Sequence, residues 1–303
     1  MDHGLFGPLG HATLISAGAM SESMRQLFGE APEMVIGDDG WALRQHFQTL
    51  PEASGVAAGK LLDRHTNRYP YAREAVSWPG FTAPTAPCPP RFGTRAILLS
   101  DRAAIEEAGA AVRACSMARF NCRELHEWLF SSLRWNEREV AQGDGMDVAT
   151  LHLPPGGRQF MRFIAPWQRM EFLNKFGLHR LMAVIEAKLV GESGGVVAIV
   201  GSGDDPGIVE AGKALLGCWL ELHESGYAVH PYYVVTDIAN RLASGRLDPR
   251  WRSAASSALA KMHGVLGIDE KAGERIHMLL RVGKAKREAP RSARRAIRQL
   301  MDN

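Results

Sequence analysis

The run Gly195–Gly201 is an uninterrupted stretch of small and branched apolar residues, and it constrains the fold of this 303-residue chain more than any other segment. A short apolar run of this kind, next to Gly and Ser residues, is typical of a strand that is buried on both faces. A helical pattern with small residues follows over about 206–225. Strands that alternate with such helices predict an α+β fold, with a sheet between layers of helices.

Apolar spacing predicts the other elements of the chain. Helices are predicted over 10–28, 52–63, 101–118, 121–139, 178–190, 236–243, 250–264 and 292–301. Strands are predicted over 95–99, 227–235 and 275–282. Residues 40–48 fit a short strand or a helix. The segment 141–177 is rich in Gly and Pro, and it is predicted to be an irregular lid.

Composition limits the classes of function that the chain can have. Apolar residues make up 46% and charged residues 23% of the sequence, which is typical of a globular protein. A net charge of +3 does not create a broad field for nucleic acid. No apolar run approaches the roughly 20 residues that span a bilayer. The four cysteines have no Cys-x-x-Cys spacing and indicate neither disulfides nor zinc. We therefore expect a cytoplasmic protein without a nucleic-acid or membrane partner.

The segment Asp63–Tyr71 concentrates side chains that bind phosphate. Arg64 and Arg68 offer planar forks that match phosphate oxygens, His65 adds a cation when protonated, and Thr66 adds a hydroxyl. The segment follows a predicted helix, so its backbone N–H groups could complete an anion site. Ion pairing on the surface is the alternative interpretation.

The motif Arg64–Arg68 resembles the opening motif of the FMN-dependent nitroreductase superfamily. Three further segments resemble that superfamily in the same order: Gly226–Pro231, Met278–Gly283 and Pro290–Ile297. Residues 10–20 are similar to the first-half helix of its long, internally duplicated Acg-type members. The resemblance covers nearly the whole chain.

The resemblance implies a central, mostly antiparallel sheet flanked by helices, in an internal pseudo-dimer with a truncated first half. Residues 1–50 would be the remnant of the first half, and residues 51–303 the second half with the FMN phosphate site. The superfamily also has an Asn-x-Gln-Pro-Trp segment that lines the flavin ring, and this sequence has no copy of it. Truncation, supply by another subunit and loss of flavin chemistry are the three explanations.

The resemblance also assigns roles to individual residues. Arg64, His65, Thr66 and Arg68 match residues that hold the FMN phosphate and ribityl oxygens. Arg294 and Arg295 match a C-terminal basic pair that reaches the same phosphate. For this pair, a solvated basic helix or a nucleic-acid patch is the alternative.

Two other segments are implied to contact the flavin ring. Backbone N–H groups near Val229, His230 and Pro231 would face N5 and O4 of the flavin, while the His230 side chain could simply pack or cap. Asn121 would bind the pyrimidine edge, with N-capping of the next helix as the alternative.

Other motifs favour structural interpretations. The loop Gly201–Gly207 follows a strand, but its two Asp residues would repel a pyrophosphate, so an Asp N-cap is preferred. The sequence Glu-Leu-His-Glu occurs at 124–127 and 221–224, where Glu and His diverge around a helix and indicate no metal site. No nucleophile set is recognisable, and no catalytic residue is assigned.

The resemblance implies an FMN-dependent oxidoreductase that moves hydride from NAD(P)H to a small electron-poor or unsaturated acceptor. The alternative is a non-catalytic protein of the same fold that sequesters flavin or binds another ligand. The expected partners are a small-molecule substrate and either a second copy in a homodimer or another chain that completes the flavin pocket.

Overall fold

The computed structural model describes residues 10–37, 40–44, 52–78 and 93–292. Its α-helices are α1 (His11–Phe28), α2 (Gly55–Asp63), α3 (Arg102–Arg119), α4 (Arg123–Ser132), α5 (Glu137–Val140), α6 (Gly157–Ile164), α7 (Trp167–Asn174), α8 (Leu178–Gly191), α9 (Asp205–Glu224), α10 (Val234–Ala243) and α11 (Pro249–Leu266). Its strands are β1 (Glu33–Gly37), β2 (Gly40–Arg44), β3 (Arg95–Leu99), β4 (Leu133–Arg134), β5 (Met146–Asp147), β6 (Gly195–Ser202), β7 (Ala228–Tyr232) and β8 (Glu274–Gly283).

The central sheet has the strand order β3-β6-β8-β7, and each neighbouring pair of strands is antiparallel. The apolar run Gly195–Gly201 forms β6 and is buried along its whole length, as predicted. The α+β class with an antiparallel sheet between helices is therefore confirmed.

Alternate residues of the strands enter two separate cores. In β3, Ile97 and Leu99 pack against α3, α10 and α11 on one face, while Ala96 and Leu98 pack against α1 and α9 on the other. This alternation follows from the two-residue period of a strand. Both faces of the sheet are therefore covered by helices.

The segment 141–177 is not irregular, and that part of the prediction was wrong. It contains α6 and α7, which pack with α4 and α8 around Met161, Ile164 and Met170. Gly156 lies in the left-handed region with φ 78°, and Pro166 precedes the first turn of α7. These Gly and Pro residues thus mark helix starts rather than a continuous loop.

Other predicted boundaries need smaller corrections. The helix predicted over 121–139 is two helices, and the first of them ends at Ser132. The second, α5, begins after Asn136, whose side chain accepts a hydrogen bond from the Glu139 N–H. The strand predicted to reach Val235 ends at Tyr232, where α10 soon begins. Residues 40–44 are a strand, and the helix predicted at 292–301 lies almost wholly outside the described residues.

The loop after β6 is capped as expected. Asp204 accepts a hydrogen bond from the Gly207 N–H at 3.1 Å, so the N-cap interpretation of this loop is confirmed. No described helix is both long enough and apolar enough to cross a bilayer.

Helices α1 and α9 touch backbone to backbone, which leads to a stability prediction. A Cβ on Gly18 would collide with the Val209 carbonyl oxygen, and one on Gly212 with the Ile15 carbonyl. We expect Gly18→Ala to lower the free energy of unfolding by about 1–3 kcal/mol, because the helices must separate. Urea unfolding monitored by circular dichroism measures the change.

Gly264→Ala is the matched control, because Gly264 lies in α11 with open space around it. This substitution should raise stability by up to about 1 kcal/mol, as expected for Ala in a helix. Equal effects of the two substitutions would contradict close packing of α1 on α9.

Candidate functional site

The segment that follows α2 extends the central sheet at its β7 edge. Thr66 forms a parallel bridge with Val229, and the Asn67 N–H donates to the Val229 carbonyl at 3.0 Å. The backbone of the predicted phosphate motif therefore lies directly beside the strand predicted to contact the flavin ring.

The chain that leaves β8 runs back along the same segment. The Ala72 N–H donates to the Lys284 carbonyl at 2.8 Å, and the Lys286 N–H donates to the Pro70 carbonyl at 3.2 Å. Further on, Arg291 Nη2 lies 2.7 Å from Asp63 Oδ1. Sequence segments separated by more than 200 residues thus converge at one edge of the sheet. Arg294 and Arg295 lie outside the described residues.

Arg281 of β8 holds this edge together. It is 1% exposed, and its Nη2 donates to the carbonyls of Asn67 at 3.2 Å and Tyr69 at 2.8 Å. Its guanidinium also lies 3.9 Å from the ring centre of Tyr71. Sequence analysis did not single out Arg281, although an Arg inside an apolar strand is an unusual signal.

Arg64 and Arg68 contact different parts of the molecule. The Arg64 guanidinium lies 4.4 Å from the ring centre of Trp219, which belongs to the core on the α1 and α9 face. Arg68 donates to Thr150 Oγ1 at 3.4 Å and contacts Met146 Sδ at 3.3 Å. Burial lowers the pKa of Arg68. Because the two guanidinium groups have different neighbours, they would contact different parts of an elongated ligand rather than one small anion.

A carboxylate lies beside the phosphate motif. Asp63 accepts from His223 Nε2 at 2.9 Å and pairs with Arg291, and these two hydrogen bonds lower the pKa of Asp63. His65 Nδ1 lies 2.9 Å from the Asp63 backbone carbonyl, and its ring meets His223 edge-on. The basic groups here are thus partly neutralised by the chain itself.

A cavity of about 400 Å³ lies between the β7 edge and the helices α4, α6, α7 and α8. Its walls are mostly aromatic, aliphatic and thioether side chains, including Phe120, Leu125, Trp128, Leu129, Phe130, Met161, Ile164, Met170 and Met182. Its polar lining residues include Arg119, His126, Glu186, His230 and Asp237. An apolar pocket with a few polar groups is typical of a small-molecule site.

Charged groups of the cavity are paired or neutral. Glu186 accepts from Arg119 Nη2 at 2.6 Å and from Ser116 Oγ at 2.5 Å. Burial raises the pKa of Asp237. The positive charge of Arg241 lowers it, but by less. Burial, then Arg281 and other arginines, lowers the pKa of His230 well below its usual value.

His230 and Pro231 line the cavity, whereas Val229 packs in the α1 and α9 core. His230 is partly exposed to the cavity, but its Nδ1 is shielded and has no hydrogen-bond partner among the described residues. His230 therefore lines the cavity as a neutral imidazole.

The Asn121 side chain forms hydrogen bonds within the protein. Its Nδ2 donates to the Met117 carbonyl at 2.8 Å, and its Oδ1 accepts from Asn174 Nδ2 at 3.3 Å. Cys122, without a side-chain cap, precedes α4, so the N-cap alternative for Asn121 was wrong. Asn121 fixes the turn between α3 and α4.

A buried histidine pair lies behind the cavity residue Tyr233. Tyr233 Oη lies 2.8 Å from His11 Nδ1, His11 Nε2 lies 3.1 Å from His277 Nδ1, and His277 Nε2 lies 3.0 Å from the Ser202 carbonyl. A carbonyl only accepts, so His277 Nε2 carries hydrogen and the chain of donors runs inward from Tyr233. No sequence pattern indicated this network.

Comparison with known proteins gives weak similarities only. No family model matches the chain, and no curated protein matches it. It is similar to a BluB-like flavoprotein from Clostridium difficile 630, with 11% identity, a TM-score of 0.42, and coverage of 80% of this chain and 96% of that one. It is also similar to an FMN-dependent nitroreductase from Mycobacterium smegmatis in complex with NADPH, with 14% identity, a TM-score of 0.40, and coverage of 78% and 94%.

A third solved structure is a nitroreductase with bound FMN from Bacteroides fragilis NCTC 9343, with 12% identity, a TM-score of 0.39, and coverage of 79% of this chain and 93% of that one. These scores carry no argument about function, which rests on the residues of this chain.

Proposed function

We propose that the protein is an FMN-dependent oxidoreductase of the nitroreductase type, in which FMN carries hydride from NAD(P)H to a small electron-poor or unsaturated acceptor. One observation supports this proposal most. The phosphate motif, the β7 segment and the end of β8, which the sequence resemblance had singled out separately, meet at one edge of the sheet.

The motif residues would hold the phosphate end of the cofactor. Arg64, His65, Thr66 and Arg68 would bind the phosphate and ribityl oxygens, with Arg294 and Arg295 approaching from the C-terminal side. Arginine forks give charge-assisted hydrogen bonds to such oxygens. The Thr66–Val229 bridge supports this arrangement, because it joins the motif to the strand that borders the cavity.

The cavity fits the ring end of the cofactor. Its mostly apolar walls suit a flat heterocycle, and His230 lines it as a neutral imidazole. Backbone N–H groups near Val229–Pro231 would orient the ring, while the bonds of Asn121 to Met117 and Asn174 favour a supporting role for that residue.

The chain's own residues would place positive charge near the cofactor and exclude water from it. Arg281 is buried and Arg68 is partly buried, and the two positive charges repel each other. Buried cations favour negative charge that develops nearby, as on a reduced cofactor ring. Helices α6 and α7 cover the cavity with Met161, Ile164 and Met170, which keeps water from the reacting atoms.

Replacing both motif arginines tests the proposal. We expect Arg64→Met/Arg68→Met to weaken FMN binding by at least about 100-fold, because two charge-assisted contacts are lost. Methionine preserves the packing against Trp219. Binding is measured by titrating FMN fluorescence, and folding by circular dichroism.

Arg113→Met/Arg138→Met is the matched control, because both arginines are exposed and remote from the motif in sequence. It should bind FMN normally. Flavin absorption in the purified wild-type protein, bleached by NADPH, would support catalysis. Wild-type protein that takes up no FMN, or a double variant that binds FMN normally, would contradict the assignment.

A non-catalytic protein that sequesters flavin or binds another ligand is the second candidate. Asp63 pairs with Arg291 and accepts a hydrogen bond from His223. This carboxylate would repel a phosphate close to Arg64, which favours the second candidate. Bound flavin that NADPH does not bleach would favour sequestration. Binding of another ligand in the cavity, with no uptake of FMN, would favour the last option.

A further inference from the structure

Helices α6, α7 and α8, with the turn between α7 and α8, carry seven large apolar side chains that are 40–74% exposed. They are Phe160, Phe163, Phe172, Phe176, Leu181, Val184 and Ile185, and we call them the apolar face. Phe172 and Phe176 touch edge-on, and Leu181 and Ile185 lie one turn apart on α8. An exposed apolar surface of this size is typical of an interaction site.

The exposed charges around the apolar face are almost all positive. Within residues 157–188 the exposed basic residues are Arg158, Arg162, Arg169, Lys175, Arg180 and Lys188, and the exposed acidic residue is Glu171. The net charge of the whole chain is only +3. This one surface therefore carries a concentration of positive charge that the overall composition hides.

We propose that the apolar face docks on an anionic lipid surface. Helices that present Phe and Leu beside Lys and Arg bind at the boundary of headgroups and acyl chains, where the apolar groups insert and the cations meet anionic lipids. The buried sides of the same helices line the cavity through Met161, Ile164, Met170 and Met182, so the exposed residues are free of that role.

The positive charge argues against a second copy of the chain as the occupant. A two-fold contact places the same surface on both sides, so this basic rim would face an identical basic rim. Like charges in contact oppose such an association.

The side chains also favour lipid over nucleic acid. Base stacking needs free aromatic faces. The Arg169 guanidinium lies 5.0 Å from the Phe163 ring centre, and Phe172 and Phe176 contact each other. Leu181, Val184 and Ile185 are aliphatic and offer no stacking surface, but they can enter the acyl region.

Vesicle flotation of the full chain tests the proposal. In about 0.1 M salt we expect binding to phosphatidylcholine vesicles that contain about one third phosphatidylglycerol, and none to pure phosphatidylcholine. Lys175→Glu/Arg180→Glu and Phe172→Gln/Phe176→Gln should each weaken binding by at least about tenfold. These residues do not line the cavity, and circular dichroism checks the folding of each variant independently of any ligand.

Lys261→Glu/Lys271→Glu makes the same change in net charge on α11 and the loop after it, and it should retain vesicle binding. Equal loss in this control, or no vesicle binding by the wild type, would overturn the proposal. So would binding of a single-stranded oligonucleotide in place of vesicles. A homodimer that Phe172→Gln/Phe176→Gln dissociates, without vesicle binding, would identify a second copy as the occupant. None of these results depends on the proposed flavin activity.

Discussion

Replacing Arg281 with methionine is expected to lower the free energy of unfolding by about 3–5 kcal/mol. Arg281 is almost wholly buried, and its Nη2 donates to the carbonyls of Asn67 and Tyr69. Methionine fills part of the space but donates nothing, so two carbonyls lose charge-assisted hydrogen bonds in the interior. Urea unfolding gives the change in stability. FMN titration should show weaker binding, because the phosphate motif loses its anchor.

Two further variants test why Arg281 is needed. One keeps its positive charge, and the other removes a different arginine from the same strand. Arg281→Lys keeps a cation but not the planar fork, and it should recover less than half of the loss. Arg275→Met removes an exposed arginine from the same strand, and it should change stability by no more than about 0.5 kcal/mol. Full stability of Arg281→Lys would show that charge alone, rather than forked donation to the two carbonyls, holds the segment.

The buried histidine pair should make the protein sensitive to acid. Burial, and then the His277 and Arg275 charges, lowers the pKa of His11 to about 3; burial lowers the pKa of His277 to about 4. In the unfolded chain both histidines bind protons as the pH falls below about 6.5. Unfolding therefore takes up protons between pH 6.5 and 4, and stability falls as the pH is lowered through this range. Each histidine should cost about 2 kcal/mol at pH 5.

His277→Gln isolates this effect. Glutamine keeps a donor for the Ser202 carbonyl and an acceptor for His11, but it cannot take up a proton. We expect the loss of stability between pH 7 and pH 5 to shrink by about 2 kcal/mol in this variant. Urea unfolding across the pH range measures it.

Tyr233→Phe is the control, because it removes the hydrogen bond to His11 but leaves both histidines in place. It should lower stability by about 1 kcal/mol at every pH and leave the pH dependence unchanged. If His277→Gln keeps the wild-type pH dependence, the pair does not titrate as described.

Local sequence patterns predicted much of the fold. The apolar run in β6, the helical spacing of α1 and α9, and the strands β3 and β8 each have a period that short windows contain. The boundary errors arose where tertiary contacts or capping decide the end of an element. Asn136, for example, starts a new helix inside a continuous helical pattern.

The site was harder to predict, because its contacts join distant parts of the chain. His11 and His277 are 266 residues apart, and no pattern in the sequence pairs them. Arg281 lies in a segment that the resemblance singled out, but its inward direction depends on the register of β8 with β6 and β7. The resemblance did single out the segments that meet at the β7 edge, although the roles of the individual motif residues stay predictions.

Overall composition also concealed the apolar face. A net charge of +3 and the absence of a spanning segment led us to expect no membrane partner. Both observations average over the whole chain, whereas the exposed sides of α6–α8 become one surface only when three short helices pack together. Whole-chain averages therefore say little about a local docking surface.

The pairing of Thr66 and Asn67 with Val229 has a consequence for solubility. β7 is the outermost named strand on its side of the sheet, and an uncovered outer strand is a template for pairing with strands of other molecules. The segment after α2 occupies part of that template. Variants that release the segment should therefore aggregate through intermolecular strand pairing at temperatures below those that unfold the two helical layers.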